Sequence, residues 1–304
     1  MTAAISITDL KKIYTTSAKV AINGLSLQVN QGVVLGLLGC NGAGKSTLIN
    51  IIANTVKKTS GKIEIMGFDV DQHPKTARRA IGVVPQEIAV DNFLSLNKTL
   101  RFTAGYYGLK VDDAYIEKIL DSVSLLEQQH LTARSLSGGM KRRFLMAKAM
   151  VHDPAVLILD EPTAGVDLNL RHKIWAHIRK LKEAGKTVVI TTHNLEEVEE
   201  LCDEIAFLRM GQIVKQDKTE QILKHSQARY LEVEFESNLT IPDLLKTLQL
   251  WETVSSNKMR VEITDNQTLM SILQAASTCS VPIKNIRTDR TSLVDVFNQV
   301  LMNN

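Results

Sequence analysis

Three short stretches hold residue types suited to phosphate chemistry. Residues 39–47 read GCNGAGKST, so Gly39 is followed after four residues by Gly44, Lys45 and Ser46. This is the spacing of a phosphate loop, whose glycines let backbone N–H groups curl around a polyphosphate without Cβ clashes. Gly39, Cys40, Asn41, Gly42, Ala43, Gly44 and Thr47 would form the cradle. Lys45 would carry positive charge to the outer phosphates, and Ser46 a hydroxyl to Mg²⁺. In LSGGMK, Ser137 would cap a following helix, while Gly138 and Gly139 leave its first N–H groups open to an anion. Taken alone, that stretch is equally a capped helix after a loop. Asp160 and Glu161 close the apolar run VLIL. A carboxylate at a buried strand tip, in a chain with a phosphate loop, is placed to serve Mg²⁺. The second carboxylate can then act as general base on a water, an effect worth about 10²–10⁴-fold.

These groups need rigid elements behind them. Val33 to Leu38 form an apolar run before the loop, and Leu48, Ile49, Ile51 and Ile52 form an apolar helical stripe after it. Strand, loop and helix in that order are what a phosphate loop requires. Further apolar runs at Ile81–Val84, Val156–Leu159 and Val188–Ile190, with helical Leu170–Glu183 among them, predict an α/β core with a sheet buried on both faces. From about Glu87 to Val151 the texture is helical, with Ile116, Ile119, Leu120 and Val123 on one face, so residues 87–151 read as a helical subdomain inserted in that core. Lys224 to Ala228 read as a linker between a first domain, 1–224, and a small α+β domain, 230–304. In the latter, Leu231, Val233 and Phe235 alternate with glutamates, as do Met259, Val261 and Ile263 with polar residues, predicting half-buried strands. Leu269, Ile272, Leu273 and Ala276 predict one helix, and Leu293, Val296, Phe297, Val300 and Leu301 another.

The bulk numbers narrow the function classes. A hydrophobic fraction of 44% and a charged fraction of 23% are ordinary for a globular protein. A net charge of +3 is too mild to argue for nucleic acid. The three cysteines, Cys40, Cys202 and Cys279, cannot all pair, which favours reduced thiols in the cytosol. No apolar run approaches the ~18 residues of a membrane span, and the first residues lack a signal-peptide pattern. If the protein serves a membrane, another chain crosses it.

The phosphate loop, LSGGM and VLILDEPT, in that order, resemble the ATP-binding subunit of an ABC transporter, from residue 1 to about residue 220. The resemblance implies a P-loop NTPase core, ATP and Mg²⁺ as ligands, and ATP hydrolysis with Glu161 as base. Gln86, in VVPQE, matches a glutamine that contacts Mg²⁺ and communicates with the membrane subunit. His193, after VVITT, matches the histidine that contacts the γ-phosphate, and Tyr14 the aromatic that stacks on adenine. Gly165, Val166 and Asp167 match a loop that crosses a dimer interface. Ser137, Gly138 and Gly139 would act on ATP held by the opposite subunit, so two such chains would pair. VPQE, AGYYGL, LSGGMKRR, DEPTAGVD and SLVDVF look like the ATPases of ABC-2 type exporters. Within that pattern Lys141, Arg142 and Arg143 read as helix charge. The partners implied are a membrane permease on a separate chain and a second ATPase subunit, with the protein peripheral on the inner face of the cell membrane. An importer ATPase, or a soluble ABC ATPase acting on ribosomes or nucleic acid, is the alternative.

Overall fold

The structure, a computed structural model, describes residues 3–15, 18–226, 229–236, 251–255, 258–263, 270, 282–290, 293, 296–297 and 300. Strand β1 (Ala3–Tyr14) pairs antiparallel with β2 (Lys19–Asn30). The chain then enters the apolar strand β3 (Val34–Leu38), every residue of which is buried, and passes through the phosphate loop into α1 (Lys45–Ile52). Next come β4 (Ser60–Ile65), β5 (Phe68–Asp69), α2 (Pro74–Arg79) and β6 (Ile81–Val84). The helical stretch expected from Glu87 begins later, at α3 (Leu96–Tyr106), where the Ser95 hydroxyl accepts from the Lys98 N–H. It continues with α4 (Asp113–Ser122) and α5 (Gly138–Met150). The core resumes with β7 (Val156–Asp160), α6 (Leu168–Glu183), β8 (Thr187–Thr191), α7 (Leu195–Leu201), β9 (Glu204–Arg209), β10 (Gln212–Lys218) and α8 (Thr219–Ser226).

Two sheets result. One is antiparallel, in the order β2-β1-β4-β5. The other runs β10-β9-β3-β8-β7-β6, parallel except for β10 at its edge. Strands β3, β7 and β8 are buried along their whole length, which is why they read as unbroken apolar runs. Leu35, Leu37, Ile158 and Val189 share one core cluster with Leu48 and Ile51 of α1 and with Ile5, Leu25 and Ile63 of the antiparallel sheet. The consequence for function is directional. The phosphate loop, Gln86, Asp160–Glu161 and His193 follow the carboxyl ends of β3, β6, β7 and β8, the edge where parallel α/β sheets gather ligands. Among the described residues no helix is long and apolar enough to cross a membrane.

The chain divides into two compact units, residues 1–219 and 220–304. The break precedes the linker expected at Lys224–Ala228, because α8 carries Lys224 to Ser226 in regular helix; Gln227 and Ala228 lie outside the described residues. The second unit contains β11 (Arg229–Phe235), β12 (Trp251–Ser255), β13 (Lys258–Ile263) and β14 (Ile283–Arg290), antiparallel in the order β12-β13-β11-β14. Leu231, Val233 and Phe235 are buried, while Glu232 and Glu234 meet Lys258 and Lys284. Leu293 and Val296 are helical and buried. The helix expected over Leu269, Ile272, Leu273 and Ala276 lies outside the described residues, as does Leu301.

Candidate nucleotide-binding and hydrolysis site

The loop after β3 is shaped by its glycines. Gly44 caps α1 at φ 112°, a conformation that side chains rarely tolerate. A Cβ on Gly39 would run into the Leu208 carbonyl oxygen. Between them, the N–H groups of Gly44, Lys45, Ser46 and Thr47 have no acceptor among the described residues. They are the free donors of a helix N-terminus, and that end of a helix favours an anion. Lys45 folds back over the loop, its Nζ donating to the carbonyls of Gly39 (2.6 Å) and Cys40 (3.1 Å). Burial pushes its pKa down, while Glu161, Cys40 and Asp160 act to keep it charged.

A cleft of about 220 Å³ opens over this loop. Asn41, Gly42, Gly44, Lys45, Ser46 and Thr47 line its floor, and Gln86, Asp160, Glu161 and Tyr14 its walls. Gly39, Cys40 and Ala43 shape the loop without lining the cleft. Tyr14 carries the Lys12 Nζ over its ring at 4.8 Å. Asp160 is nearly buried and accepts a short hydrogen bond from the Thr191 hydroxyl of neighbouring β8. Burial raises its pKa, opposed by that hydrogen bond and by the charges of Lys45 and Arg142.

Glu161 takes a left-handed backbone, φ 48°, pinned by its N–H donating to the Thr191 carbonyl at 2.9 Å. Its carboxylate sits between two polar partners. The Gln86 amide donates to Oε2 at 3.0 Å, and His193 Nδ1 lies 3.2 Å from Oε1. Residues following two other strand ends thus converge on the carboxylate at the end of β7. His193 faces an adjoining hollow of about 340 Å³ that shares Glu161 with the cleft and also includes Gly165.

Ser137, Gly138 and Gly139 do not line the cleft. Ser137 caps α5 by accepting from the Met140 N–H at 3.2 Å, and Gly138 has open space around it. Gly139 packs on the Leu170 side chain of α6 in its own chain. Asp167 caps α6 by accepting from the Leu170 N–H.

Several residues near the site were invisible as such in the sequence. Lys19 lines the cleft and Arg171 the hollow. Arg142, read as helix charge, is only 4% exposed, and its Nη1 donates to the carbonyls of Pro85 (3.0 Å) and Gln86 (2.9 Å). Arg143 bonds the Val123 and Ser124 carbonyls after α4. Glu197, in an acidic run, is fully buried and accepts from the Trp175 indole N–H at 3.1 Å. Nothing in the sequence of α5, which carries Lys141, Arg142, Arg143 and Lys148, marks Arg142 as the buried one.

Comparison with known proteins agrees with this geometry. Residues 22–164 match the family model described as ABC transporter. The Nod factor export ATP-binding protein I of Ralstonia nicotianae is 36% identical over 228 residues, covering 74% of this chain and 70% of that protein. The linearmycin resistance ATP-binding protein LnrL of Bacillus subtilis is 39% identical over 208 residues, 68% of this chain and 66% of that one. Among solved structures, an ATP-binding subunit of an ABC transporter superposes with a TM-score of 0.66 at 28% identity, over 73% of this chain and 92% of that one. A dimeric ATP-binding cassette in a post-hydrolysis state with ADP and Pi matches at a TM-score of 0.64 and 25% identity, over 70% and 98%. Fold, relatives and the phosphate loop agree, and the chain belongs to the ABC transporter family as an ATP-binding, ATP-hydrolysing subunit.

Proposed function

We propose that this chain hydrolyses Mg²⁺-ATP to drive export through a membrane permease carried on a separate chain. Supporting the export direction, the relatives above are named for Nod factor export and for linearmycin resistance. The observation that carries the hydrolytic reading is Glu161, held between Gln86 and His193 beside the phosphate loop.

In this reading the free N–H groups of Gly44 to Thr47 and the Lys45 ammonium bind the phosphates. The Ser46 hydroxyl, Asp160 carboxylate and Gln86 amide oxygen are hard oxygen donors around one cleft, a set that fits Mg²⁺. Bound there, the ion would screen phosphate charge as it develops. The Thr191 hydroxyl and the charges of Lys45 and Arg142 help hold Asp160 ionised against its burial. Glu161 takes the proton from the attacking water, and His193 Nε2 is left to face the γ-phosphate while Nδ1 meets Glu161. Tyr14 stacks on the adenine. Ser137–Gly139 lie outside their own chain's cleft and present a capped, open helix start, which fits a role on the nucleotide of a second subunit. Exposed Phe93, Phe102 and Tyr106 offer an apolar surface for the permease, which would hold the protein on the inner face of the membrane.

Glu161→Gln tests the assignment, because Gln keeps the shape and cannot accept the proton. ATP binding is expected to persist, turnover to fall by about 10²-fold or more, and Mg²⁺-ATP to accumulate a dimer on size-exclusion chromatography. Wild-type turnover in this variant would overturn the role of Glu161.

A further inference from the structure

We propose that Arg142 is a positioning residue for hydrolysis, holding the Gln86 loop so that the Gln86 amide reaches Glu161. The inference rests on the reading of Glu161 as base. Arg142 projects from α5, the helix that Ser137 caps, and is buried although it is charged. Burial lowers its pKa, and the charges of Asp160 and Glu161 oppose that shift. A buried cation is tolerated only where it is well bonded. Its Nη1 bonds are both spent on one feature, the successive carbonyls of Pro85 and Gln86, while its buried Nε has no partner among the described residues.

Those carbonyls have no other donor among the described residues. Gln86 itself is exposed, so side-chain packing does not fix it. Its main chain is set by Arg142, and its side chain then donates to Glu161 Oε2 at 3.0 Å. A continuous polar path therefore runs from the α5 helix through Arg142 and Gln86 to Glu161 and His193. Movement of α5 relative to the β6–β7 edge would alter the geometry at the base without touching the phosphate loop. Lys141, beside Arg142 in sequence, makes no such bond.

The test is a double-mutant cycle in the full-length chain, with kcat and KM for Mg²⁺-ATP and thermal melting as readouts. Arg142→Met and Arg142→Lys are each combined with Gln86→Ala. Arg142→Met is expected to lower kcat about tenfold with KM changed less than about twofold. Arg142→Lys, which can still donate to a carbonyl, should recover more than about half of the lost rate. In the Gln86→Ala background, Arg142→Met should cost less than about twofold, because the group it positions is gone. Losses that multiply independently, a KM effect without a kcat effect, or no recovery with lysine would each overturn the proposal. Should the methionine variant fail to fold, Arg142→Gln, polar but shorter than arginine, against Gln86→Ala carries the same cycle. Glu161→Gln run in parallel separates the two ideas. If it stays active the base assignment has failed, whereas an inactive Glu161→Gln with multiplying Arg142 and Gln86 losses defeats this inference alone.

Discussion

Replacing Gly44 by alanine should be far more damaging than the same change two residues earlier. Gly44 sits at φ 112° and ψ 4°, outside the left-handed well that an L-residue can occupy. Forcing alanine there costs about 1–3 kcal/mol in backbone strain. The new Cβ would also lie 2.7 Å from the Ala21 carbonyl oxygen and 3.0 Å from Ile22 Cδ1. The first of these is backbone of β2 and cannot swing aside, so relief needs a shift of loop or strand, roughly another 1–3 kcal/mol. Gly42, at φ 81°, has nothing within 4 Å of its would-be Cβ, so only strain of about 1–2 kcal/mol applies. Gly138 has neither a positive φ nor a near neighbour, and alanine there should be neutral or slightly stabilising. In a unit of this size about 1 kcal/mol moves the midpoint by roughly 2–4 °C. Nucleotide-free thermal unfolding of the three variants should then show a loss of roughly 4–24 °C for Gly44→Ala, roughly 2–8 °C for Gly42→Ala, and none for Gly138→Ala. If Gly44→Ala melted within about 2 °C of Gly42→Ala, the steric argument would be refuted.

Two further outcomes follow from the titratable and reactive groups. His152 is buried, stacks on Tyr107 at 3.7 Å and bonds the Ile81 carbonyl through Nε2 at 2.9 Å. Burial lowers its pKa, with Arg79 and Lys186 acting the same way against Ile81 and Asp153. The unfolded chain therefore binds the proton more readily, so stability is full above the ordinary histidine pKa of 6.5 and declines as pH falls below it. Melting of His152→Gln should depend less on pH across that window, and an unchanged slope would refute the account; half-buried His177, shifted the same way, supplies a remaining slope. Cys40 is exposed in the phosphate loop, whereas Cys202 is buried and its thiol is pushed up by burial and then by Glu197 and Asp203. A bulky maleimide should therefore label Cys40 ahead of Cys202 and block turnover, Mg²⁺-ATP should protect, and Cys40→Ser should remove the sensitivity. Peptide mapping that found Cys40 unmodified without nucleotide would contradict this.

What could be read from the chain depended on how locally each feature is encoded. The phosphate loop is a contiguous pattern, and its flanking strand and helix announce themselves as apolar runs, so its place needed no tertiary information. Strands β7 and β8 were legible for the same reason. The antiparallel sheet was not, because register shifts around Thr8 to Lys11 break the alternation of β1. Arg142 and Glu197 were hidden by their neighbours, since Lys-Arg-Arg and a run of glutamates both look like solvated surface. Only packing of α5 against the end of β6, and of α7 against α6, takes those charges out of water. The meeting of Gln86, Glu161 and His193 is likewise long-range, and neither its distances nor its hydrogen bonds are written in any one segment.

If Glu161 is the general base proposed above, its backbone sets stability and turnover against each other at a single residue. At φ 48° a glycine or asparagine would sit with less strain than glutamate, so folding alone would favour losing the carboxylate. A population of this gene selected only for robust folding would drift toward inactive, more heat-resistant chains at this position. On that proposed role, the need for turnover holds glutamate at 161 in a conformation that glutamate does not prefer.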